Sequence, residues 1–212
     1  MSAAVAARNE KMAQVLVKNL QSRHFGACYC ATKEEALDKA LSLIPENAAV
    51  GWGGATSAAQ IGLIDAVKSG PYVALDRESA QNLEERSLIA AKCLSADVFL
   101  VGANALSLDG QMVNIDGIGN RLAAITYGPK QVIVIAGVNK VCPDLDSAIR
   151  RARTVAAPIN HQRFSGNTPC TATGVCGDCK SDDCICNQIL ITRNCRPAGR
   201  IQFVLVGESL GF

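Results

Sequence analysis

Hydrophobic positions along the first two-thirds of the chain switch repeatedly between helical spacing and short unbroken runs. Met12, Val15, Leu16 and Leu20 recur at helical intervals and predict an amphipathic helix near the N-terminus. Thr32 and Glu35 form a T-x-x-E capping box ahead of an apolar face of Ala36, Leu37, Ala40, Leu41 and Ile44. Pro45 lies just past that face and stops the helix. Residues 48–52 read as a short buried strand that Gly53 and Gly54 break. Thr56 or Ser57 then caps a helix carrying Ile61, Ile64 and Val67. Gly70-Pro71 is a turn before a short strand at 72–75.

Residues 83–93 are helical by pattern, with Cys93 as a small buried hydrophobe. Val98-Phe99-Leu100-Val101 is a continuous apolar run suited to the centre of a sheet. Residues 105–115 read as a hairpin around Asp109-Gly110. A second central strand follows at 132–136 and a last clear helix at 145–155. Residues 160–187 are polar and cysteine-rich, and two strands at 189–191 and 201–206 end the chain. This alternation predicts an α/β fold with a mostly parallel sheet, to which the hairpin and the final pair add antiparallel pieces. Residues 1–159 and 188–212 form the α/β domain in this reading, and 160–187 a cysteine-rich metal-binding loop.

Composition narrows the function classes. The 212 residues suit one domain, and 49% hydrophobic content excludes disorder over most of the length. A net charge of +2 leaves no electrostatic footprint for nucleic acid. No stretch of about 18 apolar residues predicts a membrane span, and the first residues lack the apolar core of a secretory signal. A cytoplasmic location follows, where thiols stay reduced. There are 10 cysteines, and six of them lie between Cys170 and Cys195.

Those six read Cys170-x5-Cys176-x2-Cys179-x4-Cys184-x-Cys186-x8-Cys195. The C-x2-C pair sets two thiolates on one turn, helped by Gly174 and Gly177, and Cys184 with Cys186 can complete four sulfur ligands. Four sulfurs imply zinc or an iron–sulfur cluster. The spacing is neither the ferredoxin run nor that of a zinc ribbon. Free thiols or disulfides in a polar loop are the plainer reading, disfavoured by the length of loop they would leave without structure. Sulfur-rich ligation without a neighbouring catalytic histidine favours an iron–sulfur cluster, [4Fe–4S] ahead of [2Fe–2S], with zinc as the alternative.

Two further groups bear on chemistry. Gly51-Trp52-Gly53-Gly54-Ala55-Thr56-Ser57 follows a strand and opens a helix, which suits an anion at free N–H groups. A tight turn without ligand explains it equally well, since it is neither G-x-G-x-x-G nor a Walker A sequence. In the second group, 114–121, Asp116 can act as a general base and Arg121 can clamp a carboxylate or phosphate. Asn120 as a helix cap and Arg121 as a surface charge is the plainer alternative. Asn104 and Lys140 stand near other strand ends. Glu84 and Glu85 at a helix start complement its dipole rather than do acid–base work. His24 and His161, the only histidines, have no obvious Cys or Ser partner.

Several ordered strings together resemble the lactate-utilisation (LUD) domain family: 50–54, 96–105, 109–121, 127–130, 137–140 and 168–187. The resemblance runs from about Thr32 to the C-terminus. It implies a layered α/β domain similar to the ribose-5-phosphate isomerase, glucosamine-6-phosphate deaminase and CoA-transferase group. It also implies a role in L-lactate oxidation beside iron–sulfur redox subunits. The family's cysteine-bearing tail matches at Cys170, Cys176, Cys179 and Cys186, which makes those four the expected metal ligands. Cys184 stands where the family has an arginine, and Cys195 is surplus. The isomerases' D-G-x-D string has Gly119 in place of its second acid, and no CoA-transferase glutamate can be placed.

The expected pocket lies between the 51–57 turn and the 116–121 loop and takes an anionic small molecule. Gly53, Gly54 and Thr56 cradle it, and Asn104, Asp116, Asn120, Arg121 and Lys140 line the rest, with Asp116 and Arg121 as the reacting pair. The alternatives are a stand-alone isomerase, acyl transferase or hydrolase acting on a phosphorylated sugar or CoA ester, and a zinc-stabilised module without turnover. A homo-oligomer is compatible with each.

Overall fold

The computed structural model describes residues 2–212; Met1, the first residue of the expected α/β domain, lies outside them. The chain runs through helix α1 (Ala3–Ser22), strand β1 (Gly26–Cys30), α2 (Lys33–Leu41), β2 (Ala49–Gly53), α3 (Thr56–Gln60), α4 (Leu63–Ser69), β3 (Val73–Leu75) and α5 (Leu83–Lys92). It continues through β4 (Val98–Gly102), β5 (Ala105–Ser107), β6 (Met112–Asp116), α6 (Asn120–Thr126), β7 (Gln131–Gly137) and β8 (Val141–Cys142). It ends with α7 (Leu145–Arg151), α8 (Ala157–His161), α9 (Pro169–Thr173), β9 (Gln188–Thr192) and β10 (Ile201–Val206).

Six strands form one parallel sheet in the order β1-β10-β7-β4-β2-β3. Both of its faces are covered, which is why its central strands are unbroken apolar runs. In β4, Phe99 and Val101 point to one face, where they meet Leu16 and Leu20 of α1 and Phe203 of β10. Val98 and Leu100 point to the other, among Ala36, Ala40, Leu63 and Val204. Phe25 packs edge-on against Phe203 with ring centroids 5.3 Å apart. The expected layered α/β architecture is therefore observed.

A second sheet, ordered β8-β5-β6-β9, stands apart from the first. β5 and β6 pair antiparallel around Gly110, whose φ of +93° meets the turn's demand for a left-handed residue. β9 pairs antiparallel with β6. The final two strands are thus not a pair. β10 instead inserts between β1 and β7, parallel to both, because its five apolar residues are buried on both faces.

Local capping accounts for several boundaries. Thr32 Oγ1 accepts from the Glu35 N–H at 3.3 Å, and Glu35 reaches back to the Ala31 N–H at 2.7 Å. Glu84 and Glu85 lie in the first turn of α5 behind the Asn82 cap, where their charge complements the dipole. Other expectations are corrected. Neither Thr56 nor Ser57 caps a helix: the capping position is Ala55 without a side-chain bond, and the segment splits at Gly62, whose φ is +80°. The helix expected at 145–155 continues through a π-helical stretch, Ala152–Ala156, to His161. On α1 the buried face is Asn9, Ala13, Leu16 and Leu20, and Val15 is 47% exposed.

Candidate functional site

β2, β4 and β7 end side by side, at Gly53, Gly102 and Gly137. Ligand sites of open parallel sheets lie beyond such carboxyl ends. Here the β2–α3 turn and the β6–α6 loop face each other across a cleft of about 870 Å³. Gly53, Gly54, Thr56, Asp116, Asn120 and Arg121 line it, with Arg77, Arg86 and Arg163 on further walls. A recess of about 30 Å³ shares Gly54, Thr56 and Arg121 with that cleft and adds Ser57, Gly102, Asn104 and Lys140. The eight anion-site residues expected from sequence therefore fall on two adjoining cavities.

The glycine turn lets Arg121 lie against the backbone. A Cβ on Gly53 would come within 3.0 Å of the Phe99 ring and 3.4 Å of Arg121 Cβ. Gly54 has a φ of +57°, and a Cβ there would stand 2.8 Å from Arg121 Nη1. Asp116 fixes the same arginine. Its Oδ2 accepts the Arg121 backbone N–H at 3.1 Å and lies 3.6 Å from Nε, while its Oδ1 accepts the Gly117 N–H at 2.9 Å. Arg121 Nη2 donates to the Ile115 carbonyl, and buried Nε has no hydrogen-bond partner among the described residues. Burial weakens the guanidinium's hold on its proton and Asp116 opposes that effect. Asn120 does not cap α6; Gly119, at φ +84°, holds the capping position.

Lys140 is 4% exposed, and its Nζ donates to Ser57 Oγ at 3.0 Å. Burial, then the positive charges of Arg151 and Arg121, push its pKa down to about 7. Asn104 is committed to the scaffold: its Oδ1 accepts the Ile115 N–H at 2.9 Å and its carbonyl accepts from Arg151 Nη1. Arg151 also donates to the Asn139 carbonyl at 3.2 Å, which fixes a further cation whose charge acts on Lys140.

The cysteine-rich loop builds a separate cavity of about 160 Å³. Cys170, Cys176, Cys179, Cys184 and Cys186 line it together with His161. Burial raises the Cys186 thiol to about 12, and the thiols of Cys184, Cys176 and Cys170 push in the same direction. Five cysteines lining one cavity offer a soft donor set of the chemistry that suits zinc or an iron–sulfur centre. As they stand, no group of three or more His, Cys, Asp or Glu side chains among the described residues would hold a metal ion. Cys195 takes no part. It is buried in the main core, where Sγ donates to the Pro197 carbonyl at 3.1 Å and accepts the Ile201 N–H at 3.3 Å.

Sequence reasoning passed over Ser57 as a site residue, and also Arg151 and His161. Ser57 lies within the glycine turn already singled out. His161 lies at the start of the cysteine-rich loop; its Nε2 donates to the Asp183 carbonyl at 3.0 Å, and its Nδ1 shares a hydrogen bond with Thr171 Oγ1 at 3.3 Å. Nothing in the sequence around Arg151 marks it.

A family model of the LUD domain matches residues 13–206. A DUF162 family protein from Deinococcus radiodurans has a similar structure, with a TM-score of 0.55 at 11% identity, covering 93% of this chain and 97% of that one. That likeness shows the fold. Ribose 5 phosphate isomerase A from Neisseria gonorrhoeae aligns over 52% of each chain at 23% identity and a TM-score of 0.33. No curated protein matches the sequence. No helix among the described residues is long and apolar enough to cross a membrane.

Proposed function

We propose that this chain, which belongs to the LUD domain family, binds a small organic anion in the cleft between its glycine turn and the 116–121 loop. It thereby serves the oxidation of an organic acid, L-lactate, beside iron–sulfur redox subunits. One observation carries this reading: Arg121 and Lys140 line the recess, and the charges acting on the Lys140 amine, those of Arg151 and Arg121, are both cations. A buried cluster of like charge is costly unless an anion completes it. Arg121 receives the carboxylate in this reading, and Asp116 positions Arg121 or takes a proton.

The thiol cavity holds a metal centre, with Cys170, Cys176, Cys179 and Cys186 as ligands and Cys184 as a fifth sulfur at hand. An iron–sulfur centre would supply one-electron transfer, whereas zinc would close the loop. Titration calorimetry with L-lactate and pyruvate tests the cleft: saturable binding that Arg121→Ala weakens at least tenfold supports it, and unchanged binding in that variant refutes it. Anaerobic purification with metal analysis and a visible spectrum tests the centre; a colourless protein with stoichiometric zinc would overturn the iron–sulfur assignment.

A further inference from the structure

Lys140 stands out among the chain's amines. Its Nζ faces the inner recess, hydrogen-bonded to a hydroxyl and to no carboxylate among the described residues. Two glycines shape its surroundings. A Cβ on Gly102 would stand 3.7 Å from Nζ and from Ser57 Oγ, and one on Gly211 would stand 3.1 Å from Nζ and 2.8 Å from Ser57 Oγ. Gly211 therefore packs closely against the amine and hydroxyl and Gly102 only touches them, so the room beside Nζ is the recess of about 30 Å³ and its opening to the cleft. The recess opens past Gly54 and Thr56 to the main cleft, with Arg121 on the border of both cavities. A short molecule whose anionic end meets Arg121 would present its next carbon to Lys140.

We propose that Lys140 is a nucleophile that forms an imine with a small carbonyl compound bearing a carboxylate, a 2-oxo acid being the simplest member of the class. The identity of the anionic end rests on the reading of the cleft given above. A lysine attacks only as the free amine, and the burial and neighbouring cations around Nζ favour that form. In the first step the nitrogen lone pair forms a C–N bond, the carbonyl π pair moves to oxygen, and oxygen takes a proton. Nitrogen then gives up a proton, its lone pair forms the C=N bond, the hydroxyl leaves with a proton as water, and loss of the second N–H proton gives the neutral imine. Amine and carbonyl compound thus become imine and water with no change in oxidation state. Ser57 Oγ, 3.0 Å from Nζ, is placed to carry the proton between nitrogen and the departing oxygen.

The test is reductive trapping on the full chain. Protein is incubated with pyruvate or glyoxylate and cyanoborohydride, then mapped by peptide mass spectrometry. The expected result is one dominant, saturable adduct on Lys140, lost in Lys140→Arg and formed at least tenfold more slowly in Ser57→Ala. Exposed amines such as Lys130, whose side chain is 80% exposed, should label only at background rate. Labelling spread over surface lysines, with Lys140 unmodified, overturns the proposal. Binding of the same 2-oxo acids is followed in parallel by calorimetry. Binding without an adduct overturns the lysine's role and leaves the anion cleft standing, whereas absence of both binding and adduct overturns the two together. The wild-type map decides even if a variant folds poorly.

Discussion

Asp116 grips Arg121 at two points: one carboxylate oxygen accepts the arginine's backbone N–H at 3.1 Å and lies 3.6 Å from its Nε. The residue expected as a general base therefore also aims the residue expected as an anion clamp. Removing the clamp costs a charge-assisted interaction of about 1.5–3 kcal/mol. Asp116→Asn keeps the shape but not the charge. It should weaken anion binding less than Arg121→Ala does, by a few-fold, and calorimetry at fixed ionic strength orders the two.

Gly54→Ala should lower both stability and anion affinity. The left-handed backbone alone costs about 1 kcal/mol for alanine, and the new methyl would press on Arg121 Nη1. Gly174→Ala is the control: its φ is +76°, yet nothing lies within 4 Å of the added carbon. Urea unfolding should show similar strain in both, and only the Gly54 variant should lose affinity.

Lys140 makes a prediction about pH. The amine titrates at about 7 when folded, against an ordinary value of 10.5. Between those limits the unfolded chain binds the extra proton, so this group makes stability rise with pH, by at most about 1.4 kcal/mol per unit. Below about pH 7 both states are protonated and the contribution is flat. The difference in unfolding free energy between wild type and Lys140→Met should carry that slope; a difference independent of pH from 7 to 10 would show the amine to be charged in the fold.

The cysteines should separate into two classes. Cys186→Ser should abolish bound metal while leaving the parallel sheet intact by circular dichroism. Cys195→Ala should keep full metal content and lose about 1–2 kcal/mol of stability, because it removes a buried sulfur bonded to the Pro197 carbonyl and the Ile201 N–H. Loss of metal in the Cys195 variant would contradict this division.

The central strands were legible because burial on both faces writes itself as an apolar run, as in Val98–Val101. β1 was not, since Gly26-Ala-Cys-Tyr-Cys has no branched residue and is only half buried at the sheet edge. The placement of β10 is a long-range matter. Its apolar run marks a buried strand but says nothing of its neighbours, Gly26–Cys30 and Gln131–Gly137. At the site, motif residues such as Gly54 and Arg121 could be named from their strings. A solitary lysine reads as solvated, and only the fold reveals that Lys140 is buried. Cys184 and Cys195 look alike as surplus thiols, yet tertiary packing sends one to the loop cavity and the other to the core.

Ile115 borders both the anion cleft and the thiol cavity, and its carbonyl holds Arg121. Ile185, between two of the thiols, forms part of the cleft wall, and Asn187 ties the loop to the Gly117 carbonyl at 3.1 Å. One partition thus serves two compartments. Should closure of the sulfurs around a metal shift that partition, the two occupancies become thermodynamically linked. The factor by which metal alters anion affinity then equals the factor by which the anion alters metal affinity. Such a chain would report the state of one compartment to the other with no moving domain.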